Sequence, residues 1–306
     1  MEELADTPSL EKTKQMSNLR DRQVAVVVPL YRLPLTEEEE NSLASVRRYL
    51  GAYRLVFVSP AHLRLQRSFV RDEDRVISFR PSDFKDIRSY NRLLLSKRFY
   101  RAFEGYEYLL ICQLDSLVLS DQLAHWIGRE WDYIGAPWSE GYLTSNGAEF
   151  TGVGNGGFSL RRVAAALRVL DSPMPAHSDY VMGPPPGWWY WKRVRKAMLA
   201  LNALRRHLPP ITASKHLRRF YHGNEDVFWG RYAVQLDPSF RVAPVEEALR
   251  FAFEVDPRGC FARNGGHMPF GCHAWTRYDR SFWEAMTSDP AHSELSGNIG
   301  SSGVET

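Results

Sequence analysis

The stretch VAVVVPLYR, residues 24–32, decides the class of fold. Its first five residues are apolar and mostly β-branched, with no polar position to face water. A strand covered on both faces reads this way, and such strands belong to parallel sheets. Just beyond it, Thr36 with Glu39 three positions later forms a capping box, which predicts a helix running to about Leu50. Tyr53 to Val58 and Arg75 to Phe79 read as the second and third strands. A long helix is expected from about Asp83 to Phe103, followed by a strand over Tyr108 to Leu114. This order implies right-handed crossovers and an α/β fold, with a mostly parallel central sheet and helices on both faces. Ligands in such open sheets bind beyond the carboxyl ends of the strands.

Composition fits one large domain. The chain has 306 residues, 44% hydrophobic and 25% charged, with a formal net charge of +3. That usage is ordinary for a globular protein, and the charge is too small to argue for nucleic acid. A domain over 22–290 is expected, with a flexible segment at 1–21, a basic aromatic insertion at about 184–220 and a disordered Ser/Gly-rich tail at 291–306. Cys112, Cys260 and Cys272 share no C-x-x-C spacing and read as core thiols of a reducing compartment. The polar start lacks an apolar leader, and no run reaches the roughly 20 apolar residues of a membrane span, so a cytoplasmic location is expected.

Four segments carry candidate chemistry. In YEYLLICQLDSLVL, residues 106–119, an apolar strand ends at Gln113-Leu114-Asp115, and alternation puts Gln113 and Asp115 on one face. A carboxylate there suits Mg²⁺ or Mn²⁺ holding a diphosphate, while an Asp starting a turn is the plainer reading. In TGVGNGGFSLR, residues 151–161, four glycines suit either a flexible turn or a substrate wall, with room left by small residues and Asn155 bonding a ligand hydroxyl. A dinucleotide fingerprint is excluded by the spacing and by the lack of a preceding strand. In HGNEDVFW, residues 222–229, Glu225 and Asp226 suit either the first turn of a helix capped by Asn224 or a general base. In FGCHAW, residues 270–275, His273 is either a core histidine or a metal ligand beside Asp115.

Taken in order, these segments and WDYIGAPW at 131–138 resemble a bacterial glycosyltransferase family, long described as a domain of unknown function, of the GT-A nucleotide-diphospho-sugar transferase superfamily. The resemblance covers about residues 24 to 285, and VGNGGFSLR with DYIGAPW is its most specific pair. It implies a GT-A, Rossmann-like fold with the donor nucleotide over the first strands, near Pro29 and Tyr31. It implies that Gln113-Leu114-Asp115 holds the Asp-x-Asp position, binding ribose and a divalent Mn²⁺ or Mg²⁺. Asn155, Gly156 and Gly157 would line the donor site, and Glu225 with Asp226 would match the acidic pair that supplies the base in inverting enzymes. Asp226, in the final position, would be the base, with Glu225 bonding acceptor hydroxyls or the first helical turn. The chain departs from the pattern at Gln113, which leaves one carboxylate where the family has two.

From Tyr180 to Asn224 the sequence has no acidic residue. A helix over 188–207 would place Trp191, Val194, Met198 and Leu201 on one stripe and Lys192, Arg195, Lys196 and Arg206 largely opposite. Three readings stay open: packing on the domain, lying on an anionic membrane surface at the inner face of the membrane, or approaching phosphates of the donor or a lipid-linked acceptor. The expected partners are a nucleotide-sugar donor and a glycan or lipid-linked glycan acceptor, in surface polysaccharide assembly. The rival reading is a non-catalytic nucleotide-sugar or glycan-binding protein on the same fold. A Rossmann-type methyltransferase is excluded, because Pro29-Leu30-Tyr31-Arg32 offers no Gly-rich turn after the first strand.

Overall fold

The computed structural model describes residues 23–65, 69–140, 149–173 and 212–288. The termini 1–21 and 291–306, most of the 184–220 insertion and the whole 188–207 stripe lie outside them. A six-stranded sheet forms the centre, in the order β3-β2-β1-β4-β9-β6. Its strands are β1 (Val24–Pro29), β2 (Arg54–Pro60), β3 (Arg75–Phe79), β4 (Tyr108–Cys112), β6 (Tyr133–Ile134) and β9 (Phe158–Arg162). Strands β3, β2, β1 and β4 are mutually parallel, and β9 runs antiparallel to both β4 and β6.

Every residue of β1 and of β4 is buried. Ala25 and Val27 face one core while Val24, Val26 and Val28 face the other. Layers of helix cover both sheet faces, as a strand without a polar side requires. The first face is covered by α2 (Ile87–Leu94), α3 (Lys97–Arg101), α5 (Val163–Asp171) and α6 (Ala213–Phe220). The second is covered by α1 (Glu37–Leu50) and α4 (Leu123–Gly128). A third cluster, with Phe253, Trp275, Phe282 and Trp283, sits beside the second. It joins β5 (Leu117–Val118), β10 (Ala252–Phe253) and β11 (Gly271–Cys272) to α9 (Val245–Phe251), α10 (Pro257–Arg263) and α11 (Arg280–Ser288). The hairpin β7 (Pro137–Glu140) with β8 (Glu149–Val153) stands apart from the main sheet.

Thr36 caps α1 in the expected box, accepting from Glu39 N–H while the Glu39 carboxylate accepts from Thr36 N–H. Three expectations are corrected. The single helix over 83–103 is a 3₁₀ turn, Pro81–Phe84, followed by α2 and α3. Asp86 and Ser96 break it, because each side chain accepts a backbone N–H three residues on and so starts a new helix. The strand expected to reach Leu114 stops at Cys112: Gln113 N–H still bonds Gly157 O at 2.8 Å in register with β9, and the chain then turns, with Ser116 N–H bonding Gln113 O. Finally, the glycine segment does follow a strand, β8. Among the described residues no helix is long and apolar enough to cross a membrane. The cysteines are free and buried, as expected of core thiols.

The chain runs β1, β2, β3 outward in one direction and then returns to place β4 on the other side of β1. That reversal is a topological switch point, and a crevice opens where the two strands end.

Candidate functional site

A cavity of about 820 Å³ occupies this crevice. Pro29 and Tyr31 line it from the end of β1, and Gln113, Leu114 and Asp115 from the end of β4. Asn155, Gly156 and Gly157 form its floor, with Glu225 and Asp226 on one wall and Glu254 and His273 on the other. The structure therefore gathers the expected donor, metal and base residues, from Pro29 to His273, around one space. Gln113 and Asp115 arrive there through a turn, with Ser116 N–H bonding Gln113 O at 2.9 Å, and not through the alternation of a strand. Tyr31, 58% exposed, stands at the mouth.

On the first wall, the His273 ring lies between two carboxylates. Its Nδ1 is 2.9 Å from Glu254 Oε1, and its Nε2 is 3.2 Å from Asp115 Oδ1. The two contacts differ in kind. The first is a hydrogen bond, while Nε2 faces Asp115 as an ion pair without hydrogen-bond alignment and stays a buried nitrogen with no hydrogen-bond partner. Burial alone would lower the imidazole pKa, but Asp115 and Glu254 more than offset it and raise it to about 10. Burial likewise raises the Asp115 carboxyl, and His273 outweighs it, leaving Asp115 below the usual range.

A divalent cation can be tested against this wall. Glu254 at Nδ1 fixes the ring. With its pKa raised to about 10, the ring keeps a proton on Nε2 at pH 7, so Nε2 binds a cation only by releasing that proton. A dication on Asp115 would favour the release. Asp115 and His273 thus fit as a ligand pair. Among the described residues no cluster of three or more His, Cys, Asp or Glu has metal-holding geometry, so further ligands would be diphosphate oxygens and water.

The opposite wall is built on a buried ion pair. Arg161 lies on β9, 1% exposed, and Glu225 begins α7 (Glu225–Val227), 3% exposed. The guanidinium grips Glu225 at 2.7 and 2.8 Å. Its remaining N–H groups reach Ser159 Oγ, Tyr100 Oη and Gly156 O, so all five donors are used. Burial pushes the Glu225 carboxyl up and Arg161 pulls it back. Asp226 is placed differently. Its Oδ2 accepts from Asn155 N–H at 3.0 Å and its Oδ1 from Val227 N–H at 2.9 Å. Burial raises its pKa in spite of those two donors. Asn224 precedes α7 as the expected cap position, but its side chain makes no capping bond. Directly after Asp226 the helix widens into a π segment, Phe228–Tyr232, before α8 (Ala233–Leu236).

The glycine floor works otherwise than the sequence suggests. A Cβ on Gly156 would lie 1.9 Å from Glu225 Oε1, and one on Gly157 would lie 2.1 Å from His273 Nε2. The room these residues leave is filled by the protein's own carboxylate and imidazole. Asn155 is left-handed, φ 65°, and its Oδ1 accepts from Gly157 N–H at 3.1 Å. Its Nδ2 is buried without a partner and is the one group of that side chain left for a ligand.

Sequence reading missed Arg161 and Glu254. Arg161 carries only a weak signal: in FSLRR it alternates with Phe158 and Leu160, and a charge within a central strand has to be paired. Glu254 follows directly on a strand, the same placement that singled out Asp115.

Fold and site define an α/β protein with a polar crevice at the switch point of a mostly parallel sheet. Residues 73–273, about two thirds of the chain, match a family described as a protein of unknown function, DUF5672, and the chain belongs to it. No curated protein matches the chain. Similar solved structures include the galactosyltransferase LgtC in complex with donor and acceptor sugar analogs, at 14% identity and TM-score 0.41, covering 91% of this chain and 97% of that one. The apo-form glycosyltransferase GlyE of Streptococcus pneumoniae TIGR4 shares 10% identity at TM-score 0.37, over 86% of this chain and 59% of that one. A glycosyltransferase involved in glycosylation of the major capsid of PBCV-1 shares 9% at TM-score 0.39, over 87% of this chain and all of that one.

Proposed function

We propose that this protein is a glycosyltransferase that moves a sugar from a nucleotide-sugar donor to an acceptor hydroxyl with inversion at the anomeric carbon. One observation carries the reading: a single cavity sets Asp115, beside the His273 nitrogen that has no hydrogen-bond partner, across from Asp226, whose carboxyl is raised by burial. The first wall suits a diphosphate leaving group and the second a proton acceptor. The segments that resemble GT-A enzymes supply these same residues.

Asp115 and His273 would hold the divalent cation, Mn²⁺ or Mg²⁺, with Glu254 orienting the ring. Bound there, the cation neutralises the charge that develops on the departing diphosphate. Tyr31 and Pro29 bound the nucleotide at the cavity mouth, and Gln113 offers an amide to the ribose in place of a carboxylate. Asp226 takes the proton from the acceptor hydroxyl as that oxygen attacks, since a carboxylate with a raised pKa is the better base. Glu225, saturated by Arg161, holds the wall in place and takes no proton. A single displacement of this kind needs no covalent sugar–enzyme intermediate.

The test is a screen of sugar nucleotides with Mn²⁺, reading thermal stability and donor turnover in wild type and Asp115→Ala. A binding donor should raise the melting temperature of wild type by mass action. Asp115→Ala should lose both the shift and the turnover while unfolding at nearly the wild-type temperature. Donor binding without turnover under any acceptor would favour a non-catalytic sugar-nucleotide binder. Equal activity in Asp115→Ala would remove Asp115 from the site.

A further inference from the structure

Beside the cavity lies a group of three cations, Lys85, Arg88 and Arg92, with a single carboxylate, Asp86, among them. Arg88 and Arg92 are one turn apart on α2 and share a face of it. Between them Asn91 donates from Nδ2 to Asn224 Oδ1 at 3.2 Å, tying that face of α2 to the loop before α7. The tie brings His222 to the arginines, and the Arg88 guanidinium meets His222 Nδ1. Burial, then Arg88 and Arg92, lower the His222 pKa, so the ring is neutral at pH 7 and offers that nitrogen as acceptor. Lys85 adds a further charge where α2 begins, on the cavity rim.

Carboxylates balance this group only in part. Among the described residues neither arginine makes an ion-pair contact with an acid; Asp86, which caps α2 through Ser89 N–H at 2.7 Å, keeps its charge and attracts Lys85 and Arg92, one acid against three cations. Glu225 on the adjoining wall is neutralised by Arg161. Residues 180–224 contain no acid at all. Clustered like charges repel one another, and an anion seated among them relieves the repulsion. Arginine forks match the oxygen geometry of phosphate and carboxylate.

We propose that Arg88, Arg92 and His222 form a subsite for an oxyanion, a phosphate or carboxylate, carried by the acceptor whose hydroxyl reaches Asp226. His222 and Asp226 are four residues apart, at most about 14 Å along the chain. An acidic or phosphorylated sugar unit fits between them, with its ring over Asn91 and Asn224 on the cavity rim. The word acceptor rests on the transferase reading above; the anion site does not.

The test is equilibrium binding in EDTA, without nucleotide, using glucose 6-phosphate, glucuronate and glucose as probes. Wild type should bind the two charged probes about tenfold or more tightly than glucose, and Arg88→Gln/Arg92→Gln should lose that difference. Asp115→Asn should keep it. Should the double variant fold poorly, Arg92→Gln alone carries the comparison, with a loss of severalfold. Equal binding of charged and neutral probes overturns the proposal, as does unchanged binding in the folded arginine variants. Loss in Asp115→Asn alone would assign the anion to the diphosphate wall and overturn it too. Donor turnover without probe binding sinks this subsite only, whereas probe binding without donor turnover sinks the transferase reading and leaves the anion site standing.

Discussion

The two walls of the cavity solve opposite problems with the same kinds of side chain. Around Arg161 and Glu225 every charge is buried and every donor is used. Around His273 the charges are looser: the Asp115 side chain is 49% exposed, and one ring nitrogen lacks a hydrogen-bond partner. A saturated network fixes geometry, while an unsaturated one has something left to give a ligand. The difference also separates two adjacent carboxylates. Glu225 belongs to the scaffold, and Asp226, held only by two backbone N–H groups, faces the space where a reaction can occur.

Breaking the saturated wall should have the largest effect. Arg161→Met leaves Glu225 buried and unpaired, and chemical denaturation should show a loss of about 3–5 kcal/mol. Adding Glu225→Gln should recover much of that loss, because the uncompensated charge goes with it. A small loss in the single variant would mean that the pair does not organise the wall.

The next effect sharpens the contrast between the two carboxylates. Asp226→Asn should lower turnover by about 10²–10⁴-fold with donor affinity nearly unchanged, as expected for a lost general base. The base must be ionised to work, so turnover should fall as pH drops through a carboxyl pKa that burial holds above the usual aspartate range. The acid limb should therefore lie above that of an ordinary aspartate and be absent from the residual activity of the Asn variant. An acid limb unchanged in Asp226→Asn would assign it to another group. Retained anomeric configuration in the product, read by NMR, would remove the need for this base altogether.

The smallest effect probes the looser wall from behind. Glu254→Gln keeps a hydrogen-bonding partner for Nδ1 but drops its charge, and should weaken Mn²⁺ binding by about 10–100-fold while leaving the fold intact. Titration calorimetry without donor reads this directly. Unchanged Mn²⁺ affinity would show that Glu254 does not orient a ligand.

Much of the sheet was legible, because β1 and β4 are apolar on both faces and no other structure accepts such runs. Asp115 was legible for the same reason, as the first carboxylate after a buried strand. The roles on the opposite wall were not. Arg161 and Glu225 lie 64 residues apart, and nothing local in FSLRR or NEDVFW names the partner. Position in the acidic pair favours Asp226 as the base, but sequence carries no burial and so does not show that Glu225 is taken up by an ion pair. The helix over 83–103 was overextended because apolar spacing continues through Asp86 and Ser96, whose caps divide it. That division sets Ile87, Tyr90 and Asn91 on the cavity wall.

The two glycines of the floor have a consequence for how this protein can change over generations. Gly156 and Glu225 share one volume, and Gly157 and His273 share another. A larger residue at either glycine meets a charged group from across the site, so the glycine cannot change while that group stays where it is. A lineage that drops Glu225 or His273 gains freedom at the matching glycine, and one that keeps them has that position closed to every side chain. The pairs thus act as a ratchet on sequence divergence, and a descendant with a side chain at 156 or 157 can be expected to have given up the group across from it.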